Sequence, residues 1–181
     1  MGIMRDIVSL RDDFINLRIL PTNWLGDSPS RFDEYAKYSS MVNSVVEFGV
    51  YTGLSTAAFI QGGAQKIRSY DITDKYLTVL PELRKAASTL GIDFEFIIGN
   101  SLSVEIEDTD LLFIDTVHEK DYCLNELNRH HSRVRKFIML HDVTSFPGVL
   151  LAAKDFLFDH PEWKIFDWDM RGCGLLVLHR V

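Results

Sequence analysis

A chain of 181 residues suits one domain with a well-buried core, and a composition of 46% hydrophobic and 25% charged residues is ordinary for a globular protein. The formal net charge of −7 argues against non-specific affinity for nucleic acid, and no apolar run approaches the ~20 residues that span a bilayer. The N-terminus lacks a secretory-signal pattern, and the two cysteines suggest neither a disulfide framework nor a thiolate metal site. We therefore expect a cytoplasmic protein without nucleic-acid or membrane partners.

The first 43 residues show no alternation of strands and helices. Apolar residues at helical spacing between Ile7 and Leu20 predict an amphipathic helix that ends at Pro21. Residues 23–30 have the composition of a loop, and residues 31–41 predict a second short helix. This N-terminal extension is expected either to cover an edge of the sheet or to form a lid over a ligand. We favour the structural role, because an amphipathic helix must bury its apolar stripe.

From residue 44 onward, strands alternate with helices. Continuous apolar runs such as Leu111-Leu112-Phe113-Ile114 predict strands buried on both faces, as in a parallel sheet covered by helices. Residues 44–181 are therefore predicted to form one α/β domain, a three-layer Rossmann-like sandwich with a mostly parallel seven-stranded sheet, five βα units and a C-terminal antiparallel β-hairpin. Pro81 indicates that the helix around it begins or bends there. The predicted strands cover residues 45–48, 67–71, 94–98, 111–115, 136–140, 163–168 and 174–179, and the predicted helices cover residues 54–61, 75–90, 119–131 and 149–158.

Polar side chains stand at the carboxyl ends of the predicted strands. In open α/β sheets, ligands bind outside these ends, near the point where strand order reverses. All of the residues found there can accept hydrogen bonds, and their convergence predicts a ligand site. They are Glu47, Asp71, Asn100, Asp115, His141 and Asp142.

The first strand end is a glycine-bounded turn. Gly49 and Gly53 allow a tight turn into a helix whose N-terminal N–H groups suit a carboxylate, and Thr52 and Ser55 add hydroxyls. The spacing Glu-x-Gly-x-x-x-Gly differs from the Gly-x-Gly-x-x-Gly pattern of dinucleotide sites. The Glu47 carboxylate would repel a pyrophosphate but could organise a ligand amino group. A purely structural turn explains the two glycines equally well.

Asp71 ends the second strand about 20 residues beyond this turn, where an acid can accept hydrogen bonds from both hydroxyls of a ribose. The alternative is that Asp71 caps the following helix together with Thr73 and Asp74. Asn100 and Ser101, after the third strand, lie where a purine edge would lie. The sequence thus favours a ribose-containing ligand.

These motifs resemble those of class I S-adenosylmethionine-dependent methyltransferases over about residues 44–181. The resemblance rests on Val45 to Gly53, Ser69-Tyr70-Asp71, Gly99-Asn100-Ser101 and the closing hairpin. Phe113 to His118 followed by Leu140-His141-Asp142 is similar to small-molecule O-methyltransferases of the macrocin O-methyltransferase and cephalosporin hydroxylase-like group.

The resemblance implies S-adenosylmethionine as cofactor and a small-molecule methyl acceptor, with methionine near the glycine turn, ribose at Asp71 and adenine near Asn100 and Ser101. This sequence departs from the family pattern twice, since Asn100 replaces an acid and Thr116-Val117 replaces a Gly-Asp pair. The implied cofactor-binding residues are Glu47, Gly49, Tyr51, Thr52, Gly53, Ser55, Asp71, Asn100, Ser101 and Asp115.

Methyl transfer to a hydroxyl needs an aligned acceptor and removal of its proton. Asp115, His141 and Asp142 follow neighbouring strands and could jointly bind a divalent cation. Carboxylates suit Mg²⁺ or Ca²⁺, and the histidine shifts the preference toward Mn²⁺, Zn²⁺ or Fe²⁺. His118 falls where the related catechol O-methyltransferases carry a catalytic lysine, and an imidazole that titrates near neutrality suits a general base. His118 and Asp115 are therefore the candidate catalytic residues. Asp115 as a helix cap and His141-Asp142 as a structural pair are the alternatives.

Other interpretations stay open at this point. The chain could be a non-catalytic module that keeps the fold and the cofactor, or a Rossmann-like enzyme with another nucleotide, which the missing phosphate-type glycine disfavours. A homo-oligomer is compatible with the sequence. Tyr122 and Phe146 are candidates to line the acceptor pocket. The remaining histidines that fall on helices or turns are expected to be exposed rather than to act as ligands; they are His130, His131 and His160.

Overall fold

The computed structural model of the protein describes residues 28–181, with side chains described from Arg31 onward. The predicted helix before Pro21 and the start of the predicted loop after it lie outside these residues. The helices are α1 (Ser28–Ser39), α2 (Leu54–Gly62), α3 (Leu80–Thr89), α4 (Lys120–His130) and α5 (Pro147–Asp159), with a 3₁₀ turn at His131–Arg133. The strands are β1 (Ser44–Phe48), β2 (Lys66–Asp71), β3 (Asp93–Ile98), β4 (Thr109–Ile114), β5 (Val134–His141), β6 (Trp163–Asp169) and β7 (Leu175–Arg180).

The seven strands form one sheet in the order β3-β2-β1-β4-β5-β7-β6. Strands β1 to β5 are mutually parallel, and β7 lies antiparallel between β5 and β6. The predicted fold class is confirmed. Strand order reverses between β1 and β4, so the crevice at the carboxyl ends of these two strands is the expected ligand position.

Four parallel strands, rather than the predicted five, are followed by a helix. Residues 99–108 connect β3 to β4 with turns and extended chain. The backbone N–H groups of Ser103 and Val104 donate to the carbonyl of Asn100, and Ile106 is buried with Val104 packed beside it. Alternating apolar and acidic residues let this segment cover part of the sheet face without a helix.

The largest differences between the observed and the predicted helices are at the starts of α1 and α3. Helix α1 begins at Ser28, inside the predicted loop, and ends at Ser39. Helix α3 begins at Leu80 and carries Pro81 in its first turn. Proline has no N–H to donate, so the first turn is where a helix tolerates it. Of the two predicted outcomes at Pro81, the structure has the later start rather than the bend.

Apolar cores lie on both faces of the sheet, one beneath α1, α2 and α3 and the other beneath α4 and α5. Helix α1 buries Phe32, Tyr35 and Tyr38 in the first core, and each fully buried aromatic side chain contributes about 1.5–3 kcal/mol. The Tyr38 hydroxyl also donates to the Asp167 carboxylate of β6 over 2.8 Å. Among residues 28–181, no helix combines the length and apolar character that crossing a bilayer requires.

Candidate ligand and catalytic site

A cavity of about 580 Å³ opens at the carboxyl ends of β1, β2, β4 and β5. This volume lies within the range of small-molecule sites, ~300–1,000 Å³. Of the predicted site residues, only Glu47 and Gly53 do not line it. The predicted residues on its wall are Gly49, Tyr51, Thr52, Ser55, Asp71, Asn100, Ser101, Asp115, His118, His141 and Asp142.

The two glycines of the β1–α2 turn are required by the backbone itself. Gly49 has φ +85°, and a Cβ added there would lie 1.8 Å from the carbonyl oxygen of Asp115. Gly53 has φ +87° and is the N-cap residue of α2. L-residues with a side chain rarely adopt such φ values. The glycines therefore shape a turn that places the N-terminus of α2 against the cavity.

Glu47 lies beneath the cavity rather than on its wall. Its side chain is fully buried, and it accepts hydrogen bonds from the hydroxyls of Ser55, Thr56 (2.6 Å) and Ser69 (2.5 Å). Because the Glu47 carboxylate does not reach the cavity, the prediction that it contacts a ligand amino group is wrong. The Ser55 hydroxyl is likewise directed at Glu47, although Ser55 also lines the cavity. Burial raises the pKa of Glu47 to about 7, although the three hydroxyls oppose this shift.

We expect Glu47→Gln to flatten the pH dependence of stability. The folded-state pKa of about 7 lies above the usual value of 4.5. The contribution of Glu47 to the free energy of unfolding is therefore largest below pH 4.5 and is lost as the pH rises through 7. The loss amounts to up to about 3 kcal/mol and is absent from the variant. Urea unfolding at several pH values between 4.5 and 8 measures it. The control is Glu105→Gln, which removes the same charge at an exposed position. Parallel curves for wild type and Glu47→Gln would contradict the expectation.

Asp71 reaches both the turn and the cavity. Its Oδ2 atom accepts from the backbone N–H groups of Val50 (2.8 Å) and Tyr51 (3.0 Å), and Oδ1 accepts from that of Thr73 (3.2 Å). Tyr51 has φ 49°, a left-handed conformation that is uncommon for a residue with a side chain. Each carboxylate oxygen can accept two hydrogen bonds, so Asp71 can hold the turn and still accept from a ligand.

The third strand end carries a small hydrogen-bonded group. The Asn100 Oδ1 atom accepts from the Leu102 N–H (2.8 Å) and from the Tyr122 hydroxyl (3.2 Å), and the Ser101 hydroxyl lies 3.3 Å from the same tyrosine oxygen. Tyr122 and Phe146, the two predicted pocket candidates, both line the cavity.

Helix α4 contributes two buried polar residues that sequence-based prediction misplaced or missed. His130 is 2% exposed and its ring lies 2.7 Å from the carbonyl oxygen of Ser101, so the expectation that it is exposed is wrong. Glu126 is fully buried and accepts from the Thr116 hydroxyl over 2.7 Å, and burial raises its pKa to about 7. Both lie at helical spacing from buried Cys123, which was the available signal.

The cavity wall also contains residues that no strand-end motif pointed to. Tyr35 comes from α1, and its ring packs 5.0 Å from that of Phe113 in β4. Ile72 follows Asp71 and is 71% exposed, and Cys173 comes from the turn between β6 and β7. An exposed apolar side chain beside an acid at the mouth of the cavity suits a flat, apolar ligand surface.

Two acids and two imidazoles meet on the side of the cavity that the ends of β4 and β5 form. The Nε2 atom of His118 lies 2.8 Å from Asp142 Oδ2 and 3.4 Å from Asp115 Oδ1. The Nδ1 atom of His141 lies 3.2 Å from Asp115 Oδ2 and 3.4 Å from Asp142 Oδ1. Acid and imidazole side chains therefore alternate around one centre, and we call these four residues the acid–imidazole cluster.

The hydrogen bonds of this cluster raise the pKa of His118 and lower that of Asp115. Hydrogen bonds to Asp115 and Asp142 raise the pKa of His118 to about 9. Burial would raise the pKa of Asp115, but the two histidines outweigh it and hold that pKa well below its usual range. His118 is thus protonated at pH 7 in this arrangement, whereas the sequence predicted an imidazole that titrates near neutrality. Its catalytic role, and that of Asp115, stay predictions.

The residues that could hold a metal ion differ in part from the predicted set. One ligand atom each from Asp115, His118 and Asp142 lie within 4.8 Å of one another, so His118 stands where His141 was predicted. Two carboxylates and one imidazole suit Mn²⁺, Fe²⁺ or Zn²⁺ better than Mg²⁺, which prefers oxygen ligands alone. Asp142 has φ 63°, a left-handed conformation that Asp tolerates better than most residues.

No family model and no curated protein matches the sequence. Solved structures do match it. The cofactor-bound structure of Rv0187 from MTB has a TM-score of 0.68 at 17% identity, covering 99% of this chain and 90% of that one. An O-methyltransferase from Bacillus cereus in complex with SAH has a TM-score of 0.66 at 13% identity, covering 100% and 91%. The O-methyltransferase TomG from Streptomyces achromogenes in complex with SAM has a TM-score of 0.67 at 10% identity, covering 97% and 89%.

The TM-scores of these three likenesses lie between 0.66 and 0.68. The likenesses span nearly the whole length of both chains in each comparison. The protein therefore has the fold of the class I S-adenosylmethionine-dependent methyltransferases.

Proposed function

We propose that this protein is an S-adenosylmethionine-dependent methyltransferase that methylates an oxygen atom of a small molecule. The observation that carries the proposal is the cavity itself, which has Asp71 and the N-terminus of α2 on one side and the acid–imidazole cluster on the other. The fold supports it, as do the O-methyltransferases from Bacillus cereus and Streptomyces achromogenes that hold SAH and SAM.

The residues at the turn fit the cofactor. Asp71 would accept a hydrogen bond from a ribose hydroxyl at Oδ1, the N-terminal N–H groups of α2 would bind the methionine carboxylate, and Asn100 and Ser101 would meet the adenine edge. S-adenosylmethionine supplies the electrophilic methyl group when bound. The protein's part is to align that group with the acceptor and to exclude water.

The acid–imidazole cluster fits the acceptor. Protonated His118 can donate a hydrogen bond to the acceptor oxygen and so orient it, with Phe146 stacked on its ring at 4.2 Å. Asp115, His118 and Asp142 would hold a divalent cation if one is used, and a cation there lowers the pKa of an acceptor hydroxyl. Such binding requires His118 to give up its proton, so metal affinity should rise with pH.

Calorimetric titration with S-adenosylmethionine and S-adenosylhomocysteine tests the proposal, and we expect both to bind. Asp71→Asn keeps an oxygen for the N–H groups of Val50 and Tyr51 but loses an anionic acceptor, so it should weaken binding about tenfold or more. Asp74→Asn, at an exposed neighbouring position, is the matched control. The cofactor assignment fails if neither ligand binds. Binding without methylation of any hydroxyl acceptor would indicate a non-catalytic module.

A further inference from the structure

A second group of potential metal ligands lies at the opposite end of the sheet from the cavity. His131 is in the 3₁₀ turn just before β5, His160 follows α5, and Glu162 immediately precedes β6. Because β5 and β6 both run antiparallel to β7, their starting residues share one pole, and the carboxyl end of β5 that forms the cavity is at the other. This group is therefore separate from the acid–imidazole cluster, and a role for it does not depend on the proposed function.

The three side chains converge on a space of ionic size. The Glu162 Oε1 atom lies 3.9 Å from His131 Nδ1 and 3.6 Å from His160 Nδ1, and one ligand atom from each residue falls within 4.8 Å of the others. Ligand atoms bound tetrahedrally at the usual zinc distances stand about 3.4 Å apart. The two distances to Glu162 Oε1 exceed this spacing by about 0.2–0.5 Å, so small movements of the side chains would bring the carboxylate into binding distance of a shared ion.

The polar contacts of the two histidines are consistent with metal binding through their Nδ1 atoms. The Nε2 atom of His160 lies 3.1 Å from the Asn128 side-chain oxygen, which can only accept, so Nε2 carries the proton and Nδ1 of a neutral ring does not. The Nδ1 atom of His131 is buried and has no hydrogen-bond partner. Burial also lowers the pKa of His131, which favours its neutral form. A buried polar atom without a partner is costly, and a cation would satisfy it.

We infer that His131, His160 and Glu162 bind a divalent transition metal of the Zn²⁺ type. Two imidazole nitrogens and one carboxylate oxygen are a donor set that zinc uses in proteins, whereas Mg²⁺ and Ca²⁺ prefer oxygen alone. The three side chains are 16%, 23% and 35% exposed, which leaves an open side for a water molecule as fourth ligand. The bound metal joins the end of α4, the end of α5 and the start of β6, so it stabilises the C-terminal half of the sheet.

Metal titrations of the full chain after chelator treatment test the inference, with Zn²⁺ followed by calorimetry and Co²⁺ by its visible absorption. To remove the other candidate site, the reference protein is Asp142→Asn. We expect it to bind one equivalent of Zn²⁺ and to unfold at a higher temperature when Zn²⁺ is present. Adding His160→Gln should weaken this binding at least about a hundredfold and abolish the thermal shift. Equal zinc affinity with and without His160→Gln would overturn the inference.

A second pair of variants tests the orientation of His160 without touching a ligand. Asn128 is exposed, so substitutions there leave the core intact. Asn128→Asp keeps the acceptor for His160 Nε2 and should retain zinc affinity, whereas Asn128→Leu should weaken it by ~10–100-fold. The same affinity in both variants would show that zinc is not held through His160 Nδ1.

Discussion

Gly49→Ala is expected to destabilise the protein by about 4 kcal/mol or more and to abolish ligand binding at the cavity. The added Cβ would lie 1.8 Å from the carbonyl oxygen of Asp115, a backbone atom that no side-chain rotation can move. The Asp115 N–H donates to the carbonyl of Phe48 over 2.9 Å, so β1 and β4 cannot separate at this point without losing that bond. Urea unfolding and calorimetry with S-adenosylhomocysteine measure the two effects.

Gly63→Ala is the matched control for this prediction. Gly63 has φ +86°, almost the value of Gly49, but a Cβ there has no atom within 4 Å. The Gly63→Ala variant should therefore lose only the stability that a left-handed backbone costs a residue with a side chain, about 1–2 kcal/mol. The difference between the two variants isolates the contact with Asp115. If the two variants are equally stable, the close approach of the turn to β4 is not a constraint on the fold.

The same contact links the two halves of the proposed site. Gly49 begins the turn that leads to α2, and Asp115 begins the acid–imidazole cluster, and their backbones touch where strand order reverses. In the proposed function, backbone packing in the centre of the sheet would therefore set the distance between the cofactor and the acceptor. The close approach of the two backbones leaves no room for a side chain at position 49, and this steric requirement alone explains Gly49.

The fold was predictable where a strand contains a continuous apolar run. Leu111 to Ile114 shows no alternation, which is typical of a strand covered on both faces, and in the structure every one of these residues is buried. Polar residues directly after such runs had to meet at one edge of the sheet. Strand direction alone is enough to predict that Asp71, Asp115 and Asp142 meet, and all three line one cavity.

What sequence could not supply were contacts that depend on side-chain rotamers and on distant segments. Glu47 is enclosed by hydroxyls from both α2 and β2, a coincidence of two elements that no local pattern encodes. His118 joins Asp115 and Asp142 in the possible metal group, and its position depends on the rotamers of three side chains from two different strand ends. The link between β3 and β4 lacks a helix because its alternating apolar residues bury in an extended conformation.

His118→Gln is expected to lower the rate of methyl transfer by about 10²–10³-fold, because it removes the charged donor to the acceptor oxygen, while the affinity for S-adenosylmethionine stays unchanged. Glutamine keeps a hydrogen-bonding group near Asp115 and Asp142 but can neither carry the charge of His118 nor exchange its proton. Single-turnover methylation of a hydroxyl acceptor gives the rate, and calorimetry gives the affinity. His179→Gln is the matched control, since His179 lies in β7, outside the cavity wall. A His118→Gln enzyme that works at the wild-type rate would show that the acid–imidazole cluster is structural and that the acceptor binds elsewhere in the cavity.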